Sequence, residues 1–196
     1  MSRRDIVVIP HGSSEVVLAK SIKKALKLPI EVFDPFKGKH DIAIGNITEV
    51  MDSYGFANEK ELHKTFPVLQ FNPYGNPKMR DLVIFPILDI DSYRNEKKAY
   101  ITGNLFRNSP FADRIHPIFN DGNLDEILLG LGYRISTAGA NKITTYHAVF
   151  DHMMAQEFET LSEKLKTVSD KTNLHIFIDF CLSQRPEYQG KVEPPF

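Results

Sequence analysis

Short apolar runs alternate with helical patterns along the first part of the chain, and this alternation predicts an α/β fold. Residues 6–9 are consecutive β-branched apolar residues followed by turn formers at 10–14, as expected for a buried strand that ends in a loop. Between residues 15 and 28 apolar positions recur every three or four residues, which is typical of an amphipathic helix. A second apolar run at 30–33 completes a strand–helix–strand unit, so we expect these two strands to be parallel.

The longest apolar run, residues 82–88, predicts a further buried strand but contains Pro86. Proline has no N–H to give to a ladder, so this strand lies at an edge, carries a bulge, or stops pairing before Pro86. Before this strand, residues 36–80 indicate a helical insertion. Helices are predicted to begin there at Asn46 and Asn58, each with a glutamate three residues later in capping-box fashion.

The second half of the chain has the pattern of one more strand followed by helices. We predict a strand at 115–119, a helix from Asn123 through Leu131, a long helix over 146–168 and a helix or strand at 174–182. The chain is thus predicted to be a single domain, 1–196, with a Rossmann-like, mostly parallel sheet of about four strands flanked by helices. The insertion occupies about 36–80, the C-terminal helical segment about 145–184, and a Pro-rich tail, 186–196, is predicted to be disordered.

Composition supports a folded cytoplasmic protein. Of 196 residues, 42% are hydrophobic and 25% are charged, which excludes disordered and fibrous classes. The net charge of -1 offers no general positive field for nucleic acid or an anionic membrane. The single cysteine, Cys181, cannot form an internal disulfide, and no apolar run approaches the roughly 20 residues that a membrane helix needs. We expect a reducing, cytoplasmic location and no membrane association.

The strongest chemical signal is the pair Asp89 and Asp91, which comes directly after the apolar run at 82–88. On an extended backbone residues i and i+2 project to the same side, so both carboxylates converge at the carboxyl end of a strand, where open α/β sheets bind ligands. Two adjacent carboxylates repel each other, and a Mg²⁺ or Mn²⁺ ion would relieve that repulsion. The alternative is that Asp91 caps the next helix and Asp89 faces solvent.

Glu15 follows the first predicted strand and turn, so it lies at the same edge if the strands are parallel neighbours. It is a candidate third metal ligand or a general acid or base. Alternatively, it is an acidic residue that stabilises the first turn of a helix through the helix dipole. Asp121 is a weaker candidate metal ligand after the next strand.

The order strand, glycine-containing turn (12–14), Glu15, helix and later Asp-x-Asp (89–91) resembles the Toprim fold, the metal-binding domain of topoisomerases, primases and nucleases. It is most similar to divergent Toprim proteins of the RloB and OLD type, which are associated with bacterial defence. Residues 115–133 and 171–182 resemble later blocks of these proteins. The resemblance implies a Mg-dependent nuclease or phosphoryl-transfer protein that acts on nucleic acid, with an ATPase or other protein subunit as partner and oligomers possible.

One position departs from this pattern. Toprim proteins carry an acidic residue just before the first-loop glycine, where this chain has His11 before Gly12. Three alternatives follow: Glu15 reaches the site from the helix, His11 replaces the usual ligand, or the domain is a non-catalytic partner-binding or sensing module of the same fold. In the catalytic case the resemblance gives Asp89 and Asp91 the metal, and Glu15 or His11 the proton transfer.

Basic residues provide candidate contacts to a nucleic-acid backbone. They form one group on the first helix and another after the acidic pair: Lys20, Lys23, Lys24 and Lys27, then Arg94, Lys97 and Lys98. The alternative is a solvated helix face, which the balanced charge and the lack of interleaved aromatic residues favour.

Overall fold

In the computed structural model the described residues are 4–37, 40–69, 82–90, 96–136, 139, 141–192 and 195–196. They contain one parallel sheet of four strands: β1 (Asp5–Pro10), β2 (Ile30–Val32), β3 (Leu82–Asp89) and β4 (Ile118–Asn120). The strand order is β2-β1-β3-β4, and all three pairings are parallel. The predicted α/β fold, with a mostly parallel sheet of about four strands between helices, is confirmed.

The pairing of β1 with β3 determines where functional side chains meet. Its register runs from Asp5 opposite Leu82 to Pro10 opposite Ile87. The alignment continues past the strand, because the His11 N–H donates to the Ile87 carbonyl at 2.8 Å. The residues that follow β1 therefore lie beside the last residues of β3.

Eight α-helices occur within the described ranges. They are α1 (Ser13–Leu26), α2 (Ile47–Met51), α3 (Glu59–Thr65), α4 (Lys97–Ile101), α5 (Leu124–Gly130), α6 (Asn141–Phe150), α7 (Ala155–Lys166) and α8 (Leu174–Ser183). A kinked turn at Asp52–Phe56 joins α2 to α3, and short 3₁₀ helices lie at Asn104–Phe106, Ala112–Arg114 and Pro186–Tyr188. The predicted helix starts at Asn46, Asn58 and Asn123 are confirmed.

The sheet has a separate apolar core on each face, because successive strand residues point to opposite sides. Ile6 and Val8 of β1 pack with α1 and the C-terminal helices α5–α8. Val7 and Ile9 pack with α2, α3 and the segment around Phe106. The insertion thus covers one face and the C-terminal helices cover the other, which gives three layers.

Pro86 lies in an interior strand, so the edge position, the bulge and the earlier end of pairing considered for it are all wrong. β3 is hydrogen-bonded between β1 and β4, and Pro86 keeps its register with Ile9 of β1. Toward β4, Ile84 bridges Ile115 before the proline, and the regular ladder begins after it, at Ile87 opposite Ile118. Pairing is therefore interrupted at the proline on one side of the strand and continuous on the other.

A buried tyrosine hydroxyl lies beside this interruption. The Tyr100 hydroxyl lies 2.9 Å from the Pro86 carbonyl oxygen and 2.8 Å from that of Ile118. β4 itself starts later than the predicted 115–119, and Pro117, which has no N–H, directly precedes it. The hydroxyl thus lies between a carbonyl of β3 and one of β4, and its single hydrogen is donated to one of them at a time.

One expectation for the C-terminal part is corrected. The long helix predicted over 146–168 is two helices, α6 and α7, because the chain leaves the helix after Phe150 and Glu157 accepts the Met154 N–H at 2.7 Å to start α7. The described residues of the tail, 186–192 and 195–196, include a 3₁₀ helix with Tyr188 buried, and the Phe196 ring stacks on His116 at 3.5 Å. No helix in the described ranges has the length and apolar character that crossing a membrane requires.

The Tyr100→Phe variant is predicted to be less stable by about 1 kcal/mol, since it loses the buried hydrogen bond from the hydroxyl to a sheet carbonyl. Tyr54→Phe is the matched control, because the Tyr54 side chain is 41% exposed and its change should stay within about 0.5 kcal/mol. Urea denaturation of both variants measures the free energy of unfolding. Equal free energies of unfolding for Tyr100→Phe and the wild type would show that the hydroxyl makes no net contribution to stability.

Candidate functional site

A polar pocket of about 110 Å³ lies at the carboxyl edge of the sheet, where β1 and β3 end. Its wall includes the loop after β1, the first turn of α1 and the last residue of β3. The titratable side chains that line it are His11, Glu15, Asp41, Asp89, Asp125 and Lys142. The structure therefore brings together three of the predicted site residues, His11, Glu15 and Asp89, which come from β1–α1 and from β3.

His11 is held in one orientation by three hydrogen bonds. Its N–H donates to Ile87, its carbonyl accepts the Ile42 N–H at 2.8 Å, and its ring Nδ1 lies 2.8 Å from the Ile42 carbonyl oxygen. A carbonyl oxygen can only accept, so Nδ1 carries a hydrogen, and in the neutral ring Nε2 bears the lone pair. That nitrogen lies 3.8 Å from Asp89 Oδ2, beyond direct hydrogen-bond distance.

Asp89 is oriented by a neighbouring strand. Its side chain is only 15% exposed, and its Oδ1 accepts a hydrogen bond from Asn120 Nδ2 of β4 at 3.1 Å. Asn120 is itself buried and its Oδ1 accepts from the Thr172 hydroxyl at 2.9 Å. The carboxylate of Asp89 is therefore fixed from β4, with its second oxygen on the His11 side.

Glu15 both contacts the backbone at the start of α1 and lines the pocket. Its Oε2 accepts the Gly12 N–H at 3.0 Å, so it caps the N-terminus of α1, a bond that the helix-dipole alternative did not include. It is also 97% buried, since only 3% of it is exposed, and it lines the pocket. Burial, and then the negative charge of Asp89, raises the pKa of Glu15 to about 7, although His11 and the Gly12 N–H act in the opposite direction.

Gly12 admits a further carboxylate to the pocket. A Cβ at this position would lie 2.9 Å from Asp41 Oδ1 and 3.7 Å from Glu15 Oε2. Any other residue would therefore force Asp41 to move. Asp41 directly precedes Ile42, whose backbone His11 holds, so the same bonds that orient His11 also hold Asp41 beside Gly12.

An ion pair with a buried carboxylate forms another part of the wall. Lys142 Nζ lies 2.6 Å from Asp125 Oδ2, and the Tyr146 hydroxyl donates to Asp125 Oδ1 at 2.6 Å. Burial and the bond to Asp125 raise the pKa of Tyr146 well above its ordinary value, so this hydroxyl stays protonated. Ser14, next to Glu15, has a buried hydroxyl without a hydrogen-bond partner of good geometry.

The balance of charge around the pocket favours a cation. Four carboxylates line it, against one lysine that is already paired and one histidine. Within the described ranges no group of three histidine, cysteine, aspartate or glutamate side chains is spaced to hold a metal ion unaided. Mg²⁺ and similar ions commonly bind through only one or two carboxylates and complete their shell with water and substrate phosphates. Asp91, the second member of the predicted acidic pair, lies outside the described residues.

Asp121 does not line this pocket. Its Oδ2 forms an ion pair with Lys97 Nζ at 2.7 Å. This ion pair joins the end of β4 to α4. It pairs a predicted metal ligand, Asp121, with a predicted nucleic-acid contact, Lys97. Lys98 is exposed on the same short helix, and Arg94 lies in the part of the chain that is not described.

The lysines of α1 lie toward the end of the helix that is remote from the pocket. At a rise of about 1.5 Å per residue, Lys20 and Lys27 lie roughly 10 and 20 Å along the axis from its first turn. Lys23 pairs with Glu31 at 3.2 Å, and Lys24 Nζ donates to the Asp151 carbonyl at 3.3 Å. The structure thus leaves these four lysines apart from the site carboxylates.

Two pocket residues, Asp41 and Lys142, were not predicted from the sequence. Asp41 lies in an irregular loop after β2, and Lys142 in the first turn of α6. Neither residue lies at a sequence spacing from the other site residues that predicts a contact. Their positions follow from two long-range contacts: His11 with Ile42, which is next to Asp41, and Lys142 with Asp125.

Comparison of the chain with protein-family models, curated proteins and solved structures gives no match.

The pKa of Glu15 predicts a pH-dependent stability. Between about pH 4.5 and pH 7 the folded chain retains a proton that the unfolded chain releases, so stability falls with rising pH across this window. The loss is on the order of 3 kcal/mol for a shift of this size. Glu15→Gln retains an acceptor for the Gly12 N–H but cannot ionise, so this loss should disappear.

Urea denaturation of wild type and Glu15→Gln at pH 5 and pH 8 measures this difference. Glu49→Gln, which removes an exposed carboxylate, should follow the wild type at both values. Parallel pH dependence of wild type and Glu15→Gln would show that Glu15 is ionised throughout.

Proposed function

We propose that this pocket binds a divalent cation and catalyses hydrolysis or transfer at a phosphodiester of nucleic acid, as its resemblance to Toprim proteins of the RloB and OLD type implies. One observation carries the proposal: His11, Glu15 and Asp89 meet around one small pocket at the carboxyl ends of two adjacent parallel strands. This edge is where open α/β sheets bind ligands. Each side chain is also held in place, by Ile42, Gly12 and Asn120 respectively.

The donor set fits a divalent cation. Asp89 and Glu15 are close enough that the charge of Asp89 opposes ionisation of Glu15, and a cation between such groups is stabilised by both. When bound, the ion would supply positive charge to a phosphoryl oxygen and lower the pKa of a bound water. Asp89 would hold the ion. Glu15 and His11 would share the two other tasks, a further bond to the ion and proton transfer at the reacting oxygen.

The Asp89→Asn variant tests this function. It should lower Mn²⁺ affinity at least tenfold and abolish Mn²⁺-dependent cleavage of single- and double-stranded DNA and RNA, because the amide keeps its size but loses the charge that holds the ion. Isothermal titration with Mn²⁺ and gel-based cleavage assays are the measurements.

Asp113→Asn is the matched control, since it removes a carboxylate that is 79% exposed and precedes β4. It should bind and cleave as the wild type does. Unchanged Mn²⁺ affinity in Asp89→Asn would remove Asp89 from the site and the proposal with it.

A non-catalytic module is the second candidate, and the bond between Glu15 and the Gly12 N–H favours it. That bond gives Glu15 a structural role that requires no substrate, and His11 occupies the position where Toprim proteins carry an acid. In this case the chain would bind a partner subunit such as an ATPase and would show no cleavage by itself. Stable co-purification with that subunit, together with cation binding but no cleavage, would identify the module.

A further inference from the structure

We propose that His11 is a metal ligand and that the pocket consequently prefers a transition-metal ion such as Zn²⁺ to Mg²⁺. This inference deepens the proposed function by naming the class of ion that the same site takes. It concerns the position at which the chain departs from the Toprim pattern, with a nitrogen donor where those proteins have a carboxylate.

The ring of His11 is oriented by a backbone carbonyl on the side away from Asp89. A histidine that binds a metal almost always donates its other ring N–H to a carboxylate, a water or a backbone carbonyl, which fixes the tautomer and the orientation of the ring. His11 has this arrangement, with Nδ1 at 2.8 Å from the Ile42 carbonyl oxygen and a side chain that is only 24% exposed. In the neutral ring the lone pair therefore lies on Nε2, the nitrogen nearer Asp89.

The distance between the His11 ring and the Asp89 carboxylate suits a metal ion between them. Nε2 and Oδ2 are 3.8 Å apart, which is too long for a direct hydrogen bond. Zinc bonds to imidazole nitrogen and carboxylate oxygen are each about 2.0–2.2 Å long, so one ion can reach both atoms. Asp89 is also supported from behind, since its other oxygen accepts from Asn120. Both donors thus have the outer-shell partners that metal ligands normally have.

Metal ions differ in the ligand atoms that they prefer. Imidazole nitrogen suits zinc, iron and nickel, whereas Mg²⁺ takes oxygen ligands almost exclusively. A site of one imidazole and one carboxylate is therefore a poor magnesium site and a good site for a borderline ion. Catalytic zinc sites have three protein ligands and one open position, so His11 and Asp89 require a third ligand, for which Glu15 in the same pocket is the candidate.

The His11→Asp variant provides the sharpest test, because it places an oxygen donor where Toprim proteins have one. Isothermal titration with Zn²⁺ and with Mg²⁺ at pH 7.5 should show that the wild type binds Zn²⁺ at least a hundredfold more tightly. In His11→Asp the ratio of the two affinities should fall at least tenfold. An unchanged ratio in a folded variant would overturn the proposal.

His147→Gln is the matched control. His147 Nδ1 lies 2.9 Å from Asp151 Oδ2 on an exposed helix face, so this pair is the alternative place for adventitious zinc. The control should bind Zn²⁺ as the wild type does. If it loses the tight binding and His11→Asp keeps it, the ion belongs to the surface pair and the proposal is wrong.

A measurement on the wild-type chain keeps the test independent of folding of the variants. In ¹⁵N-detected NMR of the histidine rings, one equivalent of Zn²⁺ should shift the Nε2 resonance of His11 and leave that of Nδ1 bonded to its hydrogen. No change at His11 would overturn the inference. Zinc at His11 without cleavage of nucleic acid would instead refute only the proposed catalysis, whereas cleavage with an unperturbed His11 would refute only the ligand assignment.

Discussion

The parallel pairing of β1 with β3 is the constraint on which the rest of the site depends. Six residue pairs fix the register, and the His11 N–H extends it by one bond to Ile87. Because parallel strands end at the same edge, this register places the first turn of α1 beside Asp89. A shift of one residue would reverse the faces of the strand and exchange the residues of the two apolar cores, so the same packing that stabilises the sheet also positions the site.

The site also carries an electrostatic cost that the fold alone does not require. Glu15 is buried near Asp89, and both line a pocket that contains two further carboxylates. The cap on Gly12 and the positive end of the α1 dipole offset part of this cost. A serine or aspartate at the N-cap would satisfy the helix without burying Glu15. Buried carboxylates that repel each other are concentrated at functional sites, because a bound ligand can supply the positive charge that stabilises them.

The sequence predicts the sheet well and the pocket only in part, for physical reasons. Strands at 6–9, 30–33 and 82–88 are visible because residues buried on both faces form continuous apolar runs. The convergence of Glu15 with Asp89 depends on β1 and β3 being parallel neighbours, an order that apolar patterns alone do not specify. The break between α6 and α7 has no such signal, since Met154 has no capping side chain and Glu157 alone starts the second helix.

Long-range contacts made through loops explain the remaining differences. Asp41 and Lys142 enter the pocket from segments that are remote in sequence, and local patterns carry no information about such contacts. None of the three alternatives for Pro86 describes an interior strand whose pairing with β1 continues past the proline. The Tyr100 hydroxyl, which lies beside the Pro86 carbonyl, comes from α4 and could be located only in three dimensions.

Under the proposed function, the arrangement of charge would separate ion binding from recognition of a nucleic acid. The pocket is acidic, and its lysine is already paired with Asp125, so a phosphate group would be repelled from it until a cation occupies it. The predicted lysines of α1 lie toward the opposite end of that helix, where Lys23 pairs with Glu31 and Lys24 donates to the Asp151 carbonyl. With a net charge of -1 the chain has no general attraction for a polyanion. Under that proposal the ion would bind first, and the affinity for nucleic acid would come from the ion together with a partner subunit.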